Sequence, residues 1–412
     1  MQTVNTIKGF LAGIIILFLT TPIIAQQSFI EQTFVINIEV PVRVFQGDRF
    51  IDNLTIEDFE VWEDGIRQKV EAVYLIKKKS IERSDEKKKF HPETSRCFHL
   101  FFEVSEYSPK LQEALDYFMQ MVFTQGDQLV IVTPLKTYKL KAEALNKLTR
   151  DDIQKELQEL LRRDAISGDN EYRNTLIELQ ELARNITADV QRKKGLQPDI
   201  SGSREIPYEP AIWLNHYAGL MARLQTLRKA DELKLLDLAE YLKTQLMQNY
   251  VFIFYERKFI PQLAPLLLEE YVSLFEQESY LQQALMDILD YNKKESMLDY
   301  QRISRAFADT STAIHFMHIT RAQPNIEGLR LEEHSADTYN ILREIAHATG
   351  GFSESSANPD YLFKHALDSS ENYYLLYYSP KNPKGDGSFK KIDVRIKEKP
   401  YQVLHRLGYY DY

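Results

Sequence analysis

Four short apolar runs dictate what this chain can fold into: FHLFFEVSEYS from Phe98, GDQLVIVTP from Gly126, NYVFIFYERK from Asn249 and TAIHFMHIT from Thr312. Each is rich in Val, Ile, Phe or Tyr and is bounded by polar or turn residues, and helical stretches separate them. Near-continuous apolar strands alternating with helices suit a parallel sheet, whose two faces are both covered. The expected fold is therefore α/β, with a doubly wound, mostly parallel sheet. The first run ends in Glu103-Val104-Ser105, at the carboxyl end of a strand, where such sheets place their ligand sites.

The 412 residues allow two or three compact units. A formal net charge of -9 argues against the basic face of a nucleic-acid binder. Lys8, the apolar run Phe10 to Leu19 and Ile23-Ile24-Ala25 before Gln26 read as an export signal over residues 1–25. An uncleaved anchor is the alternative, although the run is shorter than the roughly 20 residues of a spanning helix. Export implies a periplasmic, secreted or envelope-associated protein, with no membrane span once the signal is removed. Cys97 is the single cysteine, so no intrachain disulfide forms and the fold stands on packing.

Residues 26–76 read as a β segment, with period-two alternation from Phe34 to Val44 and turns at Gln46-Gly47-Asp48 and Glu63-Asp64-Gly65. Residues 77–96, including KKKSIERSDEKKK, read as a charged linker. The sheet domain spans 97–370, with a helical insertion at 141–248 and a further helical stretch from Pro261 to Phe307. Ala336 to Thr349 is a helix stopped by Gly350-Gly351. Residues 371–412 return to β pattern. Neither terminal β segment can bury much core alone, so the two are expected to share one sandwich-like unit.

In this order the pieces resemble bacterial exported proteins related to von Willebrand factor A. VPVRVFQGDRFIDNLTIEDFEVWEDGIRQKVEAV is similar to that family's N-terminal β segment, LREIAHATGGFSE to its late helix and double glycine, and YYLLYYSPKNPKGDGSFKKIDVRIKEKPYQVLHRLGYY to its C-terminal β segment. The resemblance implies a von Willebrand A-like domain whose metal-ion-dependent adhesion site follows the first strand. A hard divalent cation there takes carboxylate, hydroxyl and water oxygens from an Asp-x-Ser-x-Ser loop and two later loops. Here Glu103 stands at the first acid, Ser105 matches, and Tyr107 replaces the second serine, with Ser108 one residue late. Glu256 stands near the later acid beside Arg257, and Thr175 is the candidate third-loop hydroxyl. The resemblance thus implies a degenerate site at Glu103, Ser105, Glu256 and Thr175. No cofactor is expected, with Mg²⁺ or Ca²⁺ as the alternative.

No Gly-x-Ser-x-Gly, phosphate-loop glycine pattern or His-Glu-x-x-His occurs. His315 and His318 sit three apart on one strand, hence on opposite faces, and do not chelate together. No catalytic residue is assigned. The expected function is an exported, non-catalytic module that binds a protein partner in the envelope or outside it. Its binding loops would be Glu106, Tyr107 and Ser108 after the first strand and Arg257 and Lys258 after the third. The alternative is a divalent-metal-dependent adhesin using Glu103, Ser105 and Glu256, with an enzyme of unknown class more remote.

Overall fold

The computed structural model describes residues 36–140, 143, 147–195, 210–228, 231–274, 280–284, 286, 298–333, 336–381, 383–397 and 400–412, and the expected signal at 1–25 lies outside them. The described residues open with short strands: β1 (Ile38–Gln46), β2 (Arg49–Phe50), β3 (Phe59–Glu63), β4 (Ile66–Gln68), β5 (Val70–Lys77) and β6 (Ser80–Glu86). Strand β6 corrects the expected charged linker. Lys78, with φ of 56°, helps close a tight turn, and SIERSDE pairs with β5 as an edge strand. Its exposed charges suit an edge, where they discourage pairing with other chains. The segment after it is also tied down. Phe90 stacks on Tyr377 at 4.3 Å, and its N–H donates to the Tyr74 hydroxyl at 2.9 Å.

Next come β7 (Arg96–Glu103), β8 (Gln128–Val132), β9 (Thr137–Leu140), β10 (Gln248–Glu256), β11 (Phe259–Leu263), β12 (Ile314–Ile319), β13 (Leu329–Glu333) and β14 (Ser353–Ser356). The central sheet runs in the order β14-β12-β10-β7-β8-β9. It is mixed: its first five strands are mutually parallel, and β9 is antiparallel to β8. Among the described residues the α-helices are α1 (Pro109–Tyr117), α2 (Arg150–Gly168), α3 (Asn170–Lys193), α4 (Pro210–Arg228), α5 (Glu232–Lys243), α6 (Pro265–Ser273), α7 (Tyr300–Ala308), α8 (Ala336–Ala348) and α9 (Pro359–Glu371). No helix among the described residues is long and apolar enough to cross a membrane.

Alternate side chains of each central strand serve opposite faces. Phe98, Leu100 and Phe102 of β7 join Phe252 and Phe254 of β10 beneath α1 and α9. Val251, Ile253, Ile314 and Phe316 pack on α5, α7 and α8. Burial on both sides explains why the four runs are apolar almost throughout rather than alternating. Helices α3, α4 and α6 build a separate core with β11. Strand β11 pairs with β13, so the stretch from Pro261 begins as strand, not helix. A two-stranded ribbon tolerates Pro261 because its missing N–H can lie on an outer edge.

The chain closes with β15 (Asn372–Tyr378), β16 (Phe389–Ile396), β17 (Gln402–His405) and β18 (Gly408–Tyr410). One sheet runs β17-β1-β15-β5-β6, with β2 beside β1, and a second runs β18-β16-β3-β4. Val42, Val61, Leu376 and Val394 are among the residues that fill the core between them. The N-terminal strand β1 therefore lies between two C-terminal ones. This unit meets the central sheet at the double glycine. The Leu407 N–H donates to the Ala348 carbonyl at 2.7 Å. A Cβ on Gly351 would stand 1.9 Å from the Ile314 carbonyl oxygen, and Gly350 has φ of 69° with the His405 backbone against it. Gly351→Ala is expected to destabilise the protein by about 3 kcal/mol or more, read as a lower midpoint in urea unfolding.

His99, His315 and His318 are buried and His405 is half-buried, and desolvation lowers each ring's pKa from its ordinary 6.5. His315 lies deepest, stacked on Phe252 at 5.0 Å, and its Nδ1 accepts the Phe352 N–H at 3.2 Å. Because the unfolded chain binds protons that these rings refuse, stability falls as pH drops below 6.5, by about 1.4 kcal/mol per unit for each ring until its folded pKa is reached. Above 6.5, and again below the folded pKa, their contribution does not change with pH. Unfolding free energies from pH 7.5 down to about 5 should show this slope, and His315→Phe should make it shallower.

Candidate functional site

The chain leaves β7 for β8 on one side and returns to β10 on the other. The β7–β10 gap is therefore a point where the connections diverge, and a crevice opens above the strand ends. The parallel register sets Tyr255 beside Glu103 and Glu256 beside Ile319. Glu256 thus projects from the end of β10 next to the loop that follows β7. It is 5 % exposed, so its charge needs local answers.

Two answers come from Ser105, whose backbone N–H and hydroxyl both donate to Glu256 Oε2, at 2.6 and 2.5 Å. The third comes from Arg321, two residues beyond β12. Its Nε pairs with Glu256 Oε1, its Nη2 pairs with Glu106, and its Nη1 donates to Ser105 Oγ at 3.0 Å. One guanidinium therefore joins two carboxylates and a hydroxyl at the rim of the sheet. Arg173 of α3 adds a bond from Nη2 to the Ser105 carbonyl at 2.7 Å while its Nε holds Asp169 at 2.9 Å.

The remaining sequence candidates divide around this centre. Glu103 stands apart, half-exposed, with Lys258 Nζ at 3.6 Å. Arg257 turns away to Glu333 and lies over the Phe259 ring at 5.3 Å. Tyr107 packs under the rim, with the Arg162 guanidinium 5.6 Å from its ring centre, and burial pushes its hydroxyl pKa up. Ser108 caps α1, its Oγ accepting the Leu111 N–H at 3.2 Å. Thr175 is a correction. It lies within α3, fully buried, and its hydroxyl donates to the Glu171 carbonyl one turn back at 2.8 Å. It belongs to a helix interior and not to a rim loop.

A divalent cation seeks free oxygen lone pairs. Here the Ser105 hydroxyl is spent as a donor, both Glu256 oxygens are engaged, and Arg321 brings a fixed positive charge to the same place. These residues do not fit Mg²⁺ or Ca²⁺. Among the described residues, no three His, Cys, Asp or Glu side chains converge for a metal ion.

Arg321 and Arg173 escaped the sequence reading. Arg321 carried a signal, since it follows the fourth apolar run as Ser105 and Glu256 follow or close theirs. Arg173 carried none, because its place at the rim comes from how α3 packs. Arg321→Met should destabilise the fold by about 1–3 kcal/mol by stranding Glu256. Adding Glu256→Gln should recover part of that loss, and a double-mutant cycle in urea should give a coupling of about 1 kcal/mol or more.

Compared with protein-family models, with curated proteins and with solved structures, the chain finds no match.

Proposed function

We propose that this chain is an exported, non-catalytic protein-interaction module of the von Willebrand factor A-related kind, acting in the cell envelope or outside it. In this reading the central sheet is that family's doubly wound sheet, the helices between β9 and β10 are an insertion, and Arg321 takes the place of the metal ion. The supporting observation is the guanidinium itself, which bridges Glu256, Ser105 and Glu106 where the connections diverge.

The chemistry of binding follows from the exposure of those groups. Glu256 is buried and holds Arg321 in place, whereas Glu106 is largely exposed and occupies Nη2 from the solvent side. A carboxylate on a partner protein can replace Glu106 there, because guanidinium nitrogens receive carboxylates in a fixed planar geometry. Lys258 and Glu103 flank that position and would bias the choice of partner through charge.

Calorimetric titration with Mg²⁺, Ca²⁺ and Mn²⁺ should give no binding heat with the natural protein. Capture of envelope proteins on immobilised protein should fall about tenfold or more for Arg321→Ala. Micromolar cation binding abolished by Glu103→Ala would instead establish the metal-dependent adhesin that uses Glu103, Ser105 and Glu256.

A further inference from the structure

The path from β8 to β10 has a second consequence. Helices α3 and α4 spend their apolar faces on α6 and β11, so they do not lie flat on the central sheet. The sheet face bearing Phe101, Val130 and Val132 instead floors a cleft of about 1320 Å³, walled by Leu227 of α4 and by Leu235 and Leu238 of α5. Four strands, β9, β8, β7 and β10, cross this floor, a span of about 14 Å at the usual strand spacing. Mostly apolar walls with a few placed polar groups are what small-molecule sites have in common.

The charges lining the cleft are unequal. Every carboxylate there has a basic partner: Glu256 has Arg321, Glu103 has Lys258 at 3.6 Å, Asp169 has Arg173 at 2.9 Å and Asp231 has Lys234 at 3.7 Å. Arg257 is held by Glu333 outside the lining. Among the described residues, Lys139 is the lining cation without a carboxylate. It stands on β9 opposite Val130, with its Nζ 5.4 Å from the centre of the Tyr241 ring. An apolar floor with one unanswered positive charge at its edge complements an apolar chain with one negative charge.

We infer that the cleft binds a monoanionic amphiphile, a free straight-chain carboxylate whose head meets Lys139 and whose chain lies over Phe101, Val130 and Val132. This goes beyond the rim interaction and does not depend on it. Calorimetric titration of the protein with octanoate, decanoate and dodecanoate, kept below micelle formation, should show saturable binding with one ligand per chain. Affinity should rise about fourfold per added methylene, the factor expected for burying each group. Lys139→Met should weaken dodecanoate about tenfold while leaving dodecanol binding and partner capture unchanged. Leu227→Trp, at an exposed position on the opposite wall, should weaken acid and alcohol together. Absence of saturable binding would overturn the inference, as would equal affinity of Lys139→Met for the acid. Binding to phosphatidylglycerol vesicles without binding to the monomeric acids would overturn it too, and would assign the charge to a membrane surface.

Discussion

A buried carboxylate at the end of a parallel strand has to be answered by positive charge or by donated hydrogen bonds, and Glu256 receives both. Its position follows from register alone, since β10 ends beside β7 and β12 with their carboxyl ends nearly flush. Once Glu256 is buried there, Ser105 and Arg321 are drawn to it from two different loops. Losing either partner would leave a desolvated charge, which costs more than an ordinary lost contact. The rim is therefore rigid at its centre and adjustable at its edge, where Glu106 and Lys258 remain exposed.

The same sheet accounts for the cleft. A parallel sheet is stable when both faces are covered. Helices α1 and α9 cover one face, and α5, α7 and α8 cover part of the other. Helices α3, α4 and α6 form a core of their own with β11 and leave Phe101 and Val132 only partly covered. Rim and cleft meet along the β7–β10 boundary, and Glu103, Ser105, Glu256 and Arg321 belong to both. A ligand seated on the sheet would lie near the groups proposed to receive a protein partner.

Much of the architecture was legible residue by residue. The four apolar runs became β7, β8, β10 and β12, and Pro109 stands at the first position of α1. His315 and His318 face opposite sides of β12, as a period of two requires. The misreadings share one cause: local composition without its partner. SIERSDE looks like a linker until β5 offers it an edge, and Phe259–Leu263 carries no strand signal apart from β13. At the site, Glu103 and Glu256 were both visible as acids at strand ends, yet one binds Lys258 at the surface and the other organises the centre.

What the sequence determined by itself was periodicity: where apolar residues repeat, where proline and glycine interrupt them, and hence most of the strands and helices, though not β6 or β11. Those preferences act within a few residues and are written in the chain directly. Only the tertiary structure decided that Arg321, some 216 residues beyond Ser105, would supply the charge at the rim. It also decided that Thr175 would be sealed inside α3 and that Lys139 would face the cleft with no carboxylate paired to it among the described residues. Electrostatic pairing depends on distance through space, and no local pattern encodes that distance until the strands have taken their order in the sheet.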